Sequence, residues 1–191
     1  GARLPQRVAG IPSPSGAGLQ GLRTTVARRY PVLQLTLYPA LVQGDTAAAD
    51  LVRQLHRVAA DGGYDALIIG RGGGSIEDLW PFNEETVARA LAEMPMPVVS
   101  SVGHETDTTI VDFVADRRAA TPTAAAELVT PITLVDALNG IQQYRSRATN
   151  AMQNRLTAAA ERLHRASRSV VLTQPSRLYE QYSGPVDQLH T

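Results

Sequence analysis

Residues 67–107 constrain the fold more than any other stretch. They read LIIGRGGGSIEDLWPFNEETVARALAEMPMPVVSSVGHETD. Two short apolar runs, 67–69 and 97–102, each end in a polar, glycine-bearing loop. The first loop is Gly70, Arg71, Gly72, Gly73, Gly74, Ser75, and the second is Gly103, His104, Glu105, Thr106, Asp107. A helical pattern over 84–93 lies between them. Apolar run, loop, helix, apolar run, loop is the pattern of a βαβ unit. Such a unit sets both loops beyond the carboxyl ends of parallel strands, where open α/β folds bind ligands.

The flanking sequence extends the pattern. Residues 7–11 form a strand candidate, followed by a loop over 12–18 and a helical run to about Arg29. Residues 32–38 alternate between two prolines and read as a second strand. A helix over 44–61 places Ala47, Leu51, Leu55 and Val58 on one face, and Asp61, Gly62 and Gly63 end it. Residues 65–69 and 97–102 are continuous and apolar, as buried parallel strands are. The expected class is α/β: a parallel sheet of about four strands with helices on both faces, by right-handed crossovers. Beyond it, 108–127 reads as a short helix, a loop over 118–123 and a new helix with Thr123 as N-cap. From 133 to 172 there is no proline, and Leu134, Leu138, Ile141, Ala148, Met152, Ala159 and Leu163 recur at heptad-like spacing. Such a helix would be roughly 60 Å long. It is expected to project as a coiled-coil arm, which requires a partner. Residues 1–6 read as the start of a fragment, and the polar stretch after 183–185 as an unnatural place for a domain to end.

Composition limits the alternatives. The 191 residues suffice for one domain with an appendage. No single apolar run approaches the roughly 20 residues of a membrane span, so no membrane partner is expected. Cysteine is absent, which excludes disulfides and thiolate metal sites and fits a reducing, cytoplasmic setting. Net charge is zero but unevenly spread: −4 over residues 1–140 and +4 over 141–191. All 18 basic residues are Arg, so every fixed cation is a planar fork suited to phosphate or carboxylate.

Several residues are candidates for chemistry, each with a plainer reading beside it. Ser13, Ser15 and Gly16 sit between a strand and a helix N-terminus, a possible anion seat or an ordinary turn. Gly72, Gly73, Gly74 and Ser75 let backbone approach a ligand. Arg71 then clamps a phosphate, or else makes a salt bridge. The loop matches neither the P-loop nor the dinucleotide fingerprint. With a helix starting near Thr106, His104 and Asp107 share its first turn, suited to acid–base or nucleophilic work on a phosphodiester. The alternative is a helix cap beside a loop histidine. Glu77, Asp78, Glu84 and Glu85 are better explained as acids at helix N-termini than as metal ligands. Arg145, Arg147, Arg155, Arg162, Arg165 and Arg168 stud the long helix. They form either a solvated face or a track for a nucleic-acid backbone.

Taken together, GRGGGSIEDLWPFNEETVARA, PVVSSVGHETDTTIVDFVADRRAATPTAAAE and YPALVQG resemble the large subunit of bacterial exodeoxyribonuclease VII. The resemblance spans roughly residues 7–130. It implies a catalytic α/β nuclease domain over 1–130 and a truncated helical arm over 131–191. It implies hydrolysis of phosphodiester bonds in single-stranded DNA from either end, giving oligonucleotides. It implies a small helical subunit bound along the arm. The family's catalytic Arg, His and Asp fall on Arg71, His104 and Asp107. The glycine loops and Thr106 would bind substrate phosphate, and Arg145, Arg147 and Arg155 would form the DNA track. No cofactor is required on this reading; a divalent metal is compatible with it, but no ligand constellation stands out. One departure matters. The family carries a functional Asp where this chain has Gly21, and Pro12 and Ala120 also depart from its pattern. Either another acid, Asp112 or Asp78, substitutes, or the chain is a weakened scaffold that binds single strands or docks the small subunit.

Overall fold

The structure is a computed structural model that describes residues 4–13, 16–71, 76–103, 107–169, 173, 174 and 176. Side chains at 16, 17 and 76–78 lie outside that description. Two compact units are present, Gly1–Ala137 and Leu138–Thr191.

The first unit is built on a five-stranded sheet: β1 (Arg7–Ile11), β2 (Gln34–Leu37), β3 (Ala66–Gly70), β4 (Val98–Ser101) and β5 (Arg117–Arg118). The spatial order is β2-β1-β3-β4-β5, and every pair is parallel. The apolar runs of the sequence form the first four strands. The fifth lies where the sequence predicts the end of a short helix and the start of a loop, because two arginines carry no apolar run. Its pairing comes from neighbours instead: Ala119 N donates to Ser100 O at 2.8 Å, and Val98 N donates to Asp116 Oδ2 at 2.8 Å.

Helices cover both faces, and alternation along the strands decides which residue meets which layer. Ile11, Leu67 and Ile69 face α2 (Ala47–Asp61) and α3 (Glu85–Ala92), packing with Leu51, Leu55, Phe82 and Leu91. Val8, Ile68 and Val99 face the other way, against Leu22 and Val26 of α1 (Gly16–Arg29) and Ala125 and Ala126 of α5 (Pro122–Val129). Each fully buried Leu, Ile, Val or Phe contributes roughly 1.5–3 kcal/mol. The expected face of α2 is buried throughout, and left-handed Gly62 and Gly63 (φ 60° and 70°) turn the chain out of it.

Two helix starts differ from the sequence reading. The helix expected near Thr106 is α4 (Ile110–Val114), capped by Thr109. Thr109 and Asp112 cap one another reciprocally as a capping box. The following helix is capped by Thr121, not Thr123. Thr121 Oγ1 accepts from Ala124 N at 3.1 Å. Pro122, which lacks an N–H, fits only the first turn and so moves the cap upstream.

The long helix is α6 (Leu134–Ser167), shorter than the 40 residues expected. Thr133 caps it, donating its hydroxyl to Asp136 Oδ2 at 2.6 Å and accepting from Asp136 N at 3.1 Å. The Thr133 hydroxyl and, after it, the Thr133 N–H donate to the Asp136 carboxyl and hold its pKa below the ordinary value. Within the second unit Ile141, Met152, Leu156 and Leu163 are exposed. One expectation is corrected: part of Pro122–Ser167 is long and apolar enough, by length and composition, to cross a membrane. That stretch is two helices broken at Thr130, and Ala125, Ala126 and Val129 of the first are buried against the sheet.

Candidate active site

The strand order reverses direction at β1, from which the chain goes first to β2 and later to β3 on the opposite side. That switch point opens a crevice at the carboxyl edge between the loops after β1 and β3. The loop after β4 adjoins them, because Gly70 pairs with Ser101 in parallel register. The carboxyl ends of β1, β3 and β4, from which the three loops named from sequence leave, therefore share one edge. Pro12 and Ser13, Gly18 and Leu19 of α1, Gly70, Arg71 and Ser101 line a narrow crevice there. Among the described residues Ser101 Oγ is buried with no hydrogen-bond partner, so the crevice holds a polar atom without a mate.

Arg71 is 5% exposed, unusual for an arginine. Its backbone N donates to Ser101 O at 3.4 Å, continuing the β3–β4 ladder one step past the strand. Its Nε donates to Val102 O at 3.2 Å. The guanidinium is thus tied to the residue that opens the Gly103 loop. Burial strengthens any charge–charge contact it makes, because water screens it less.

The Gly103 loop closes on itself. A Cβ at Gly103 would strike the Asp107 carbonyl oxygen, so only glycine fits. Past the loop, the buried Asp112 carboxylate gathers the chain. Its Oδ1 accepts from Ser100 Oγ at 2.6 Å, and its Oδ2 accepts from Thr109 N at 2.8 Å and Thr109 Oγ1 at 2.9 Å. Arg118 Nε stands 3.7 Å from Oδ1, while its Nη2 donates to Asp107 O at 3.2 Å. Asn83 Oδ1 accepts from Ile110 N at 2.9 Å, joining the segment after the Arg71 loop to α4.

Of the residues singled out in the sequence, Ser13, Arg71 and Asp107 lie on this edge, and Gly16 opens α1 beside it. Asp107 precedes α4 by three residues and is not in its first turn, since Thr109 took the cap. Ser15, Gly72, Gly73, Gly74, Ser75, His104 and Thr106 lie outside the described residues. So do the side chains of Glu77 and Asp78. Glu84 occupies the N-cap position of α3 without a side-chain cap hydrogen bond, and Glu85 in the first turn pairs with Arg89 at 2.7 Å. Arg145, Arg147 and Arg155 are exposed on α6 in the second unit, with Arg147 over the Tyr144 ring at 6.0 Å. Among the described residues no three His, Asp or Glu side chains converge as metal ligands would. Sequence reasoning passed over Arg118, Ser100 and Ser101. The Thr109-x-x-Asp112 capping box was the one available signal for this network.

A family model described as "Exonuclease VII, large subunit" matches residues 2–191. The chain belongs to the exonuclease VII large-subunit family. Among its relatives, the exodeoxyribonuclease 7 large subunit of Lacticaseibacillus casei is 71% identical over 185 residues, 97% of this chain and 41% of that one. That of Limosilactobacillus reuteri is 56% identical over 186 residues, 97% and 42% of the two chains. That of Streptococcus gordonii is 52% identical over 188 residues, 98% and 42%. This exonuclease VII large-subunit chain thus spans about two fifths of the length of the curated relatives it matches.

Within the exonuclease VII large-subunit frame, Gly21 stands on α1 with its missing side chain directed at α5. A Cβ there would meet only Thr123 Oγ1, at 3.3 Å. A Cβ at position 21 is therefore accommodated only if the Thr123 side chain gives by a few tenths of an ångström. The Asp112 carboxylate is enclosed between β4, α4 and Arg118, and both of its oxygens are engaged.

Proposed function

We propose that this chain carries the catalytic α/β unit of a single-stranded DNA exonuclease. Its site hydrolyses phosphodiester bonds from either end to give oligonucleotides. Arg71 and the amides of the glycine loops hold the scissile phosphate. His104 is the acid, base or nucleophile of the reaction, and Asp107 orients it. The observation that carries this reading is the switch-point geometry: β1, β3 and β4 are neighbours, and their three loops end on one edge. The relatives' name, exodeoxyribonuclease 7 large subunit, supports the substrate class. Anion binding by amides at a strand–loop–helix junction supports the role of the Gly72–Gly74 and Ser13–Gly16 loops.

The arm reading follows from the same family. The exposed apolar positions of α6 are suited to a small helical subunit, and Arg145, Arg147 and Arg155 to the backbone of a single strand. No resident cofactor enters this proposal, and the working compartment is the cytoplasm. The test is cleavage of an end-labelled single-stranded oligonucleotide by the intact natural enzyme, with a duplex control, in the presence and absence of chelator. Oligonucleotide products from the single strand in both conditions are expected. A strict preference for duplex would contradict the substrate class, and loss of cleavage in chelator would contradict the metal-free reading.

A second reading rests on Gly21. Glycine cannot hold a proton or orient a base, and the remaining acid of the network, Asp112, is engaged elsewhere. On that reading the unit binds single strands or docks the small subunit with little turnover. Gly21→Asp discriminates, because it restores the acid at the one position where the family carries it. Cleavage that appears only in Gly21→Asp favours the scaffold. Robust cleavage by the natural sequence excludes it.

A further inference from the structure

We infer that Asp112 and Arg118 form a clamp that positions the loop after β4 for catalysis. Neither residue need touch substrate to do so. The inference rests on the nuclease reading for its consequence, but its geometry is independent of it.

The loop leaves β4 at Ser101 and re-enters regular structure at Thr109. A free segment of that length would sample many conformations, and ordering it costs conformational entropy. Among the described residues, these contacts restrict it. At its start, Arg71 Nε holds Val102 O at 3.2 Å. At its end, Asp112 Oδ2 holds both the Thr109 amide and hydroxyl. Across its base, Arg118 spans from the Asp112 carboxylate to the Asp107 carbonyl, 3.7 Å and 3.2 Å away.

The planar guanidinium makes this last contact specific. One rigid fork hydrogen-bonds a backbone carbonyl through Nη2 and faces a carboxylate at ion-pair distance through Nε. The Asp112 side chain is fully enclosed and the Arg118 side chain 31% exposed. The pair is therefore shielded at its anionic end, where Ser100 Oγ supplies a further donor at 2.6 Å. Ser100 belongs to β4, so the clamp refers the loop directly to the sheet that also carries Arg71. Gly103, which admits no side chain against Asp107, completes the close return. A positioned loop matters because displacement of a reacting group by about 1 Å costs on the order of a hundredfold in rate.

The test compares Asp112→Asn, Arg118→Gln, Arg118→Lys and the Asp112→Asn/Arg118→Gln double variant in the intact enzyme. Steady-state cleavage of a labelled single strand and amide hydrogen exchange over 103–109 are both read. For a clamp, kcat falls at least tenfold in Asp112→Asn and Arg118→Gln while KM stays within about twofold. The double variant falls no further than the worse single one, because the pair acts as a unit. Arg118→Lys recovers part of the loss. Exchange over 103–109 quickens in Arg118→Gln, which removes no core atom and so leaves the rest of the sheet protected. A raised KM with intact kcat would overturn the inference and make Arg118 a substrate contact. Additive losses, or unchanged exchange over 103–109, would also overturn it. Should the wild-type enzyme fail to cleave single strands, the nuclease reading fails alone, and exchange still decides the clamp.

Discussion

At Gly103 the chain has no space for a side chain, because a Cβ would meet the Asp107 carbonyl. The clash is with backbone, so rotamer adjustment cannot relieve it. Gly103→Ala is therefore expected to push the loop off the sheet edge, costing about 1–3 kcal/mol as other overpacked sites do. A lower Tm with loss of cleavage checks it, and a fully active Gly103→Ala protein would refute it. Individual residues were legible from sequence where chemistry and chain position coincide. Arg71 at a strand end before three glycines is such a case. Asp112 and Arg118 were not legible as a pair, because their contact depends on a two-residue strand that has no hydrophobic signature.

At the scale of elements, packing forms the helices and strands, and hydrogen bonding trims their ends. Strands 7–11, 65–69 and 97–102 were readable because continuous apolar runs have one use in a doubly covered sheet. Helix starts at Thr109 and Thr121 were misplaced by three and two residues in opposite directions. Several threonines compete in each stretch, and the winner depends on reciprocal capping or on the following proline. The turn into β3 carries a further test. After β2, the Tyr38 hydroxyl donates to Asp61 Oδ2 at 2.5 Å and shares a 2.6 Å hydrogen bond with Tyr64. Burial, then the contacts with Asp61 and Tyr64, push it above its ordinary value of 10.0. A raised value means the folded state keeps the proton more tightly. The stabilisation is therefore fully present below about pH 10 and is lost as pH rises beyond it. Thermal unfolding followed from pH 8 to pH 11 is expected to show a steeper alkaline decline in wild type than in Tyr38→Phe. Parallel curves would contradict the assignment.

For the molecule as a whole, charge is divided as structure is. Acidic residues outnumber arginines over residues 1–140, and arginines dominate 141–191. If Arg145, Arg147 and Arg155 follow a DNA backbone, replacing all three by Gln is expected to weaken single-strand binding at low salt. The log–log salt slope is expected to flatten by up to about 0.7 per lost phosphate contact. Binding measured by anisotropy over a salt series checks this, and an unchanged slope would assign the arginines to solvent. The doubly wound class was readable because βα alternation runs through the first half of the chain. Strand order was not, since pairing β3 with β1 across the chain's return leaves no trace in local pattern. That order is what sets three loops on one edge, and the central claim rests on it. Its most direct measurement is kcat/KM for a single-stranded oligonucleotide with the intact enzyme, wild type beside His104→Ala. The account expects a loss of at least about a hundredfold, the scale of removed acid–base or nucleophilic catalysis. A His104→Ala enzyme that cleaves within twofold of wild type would contradict it.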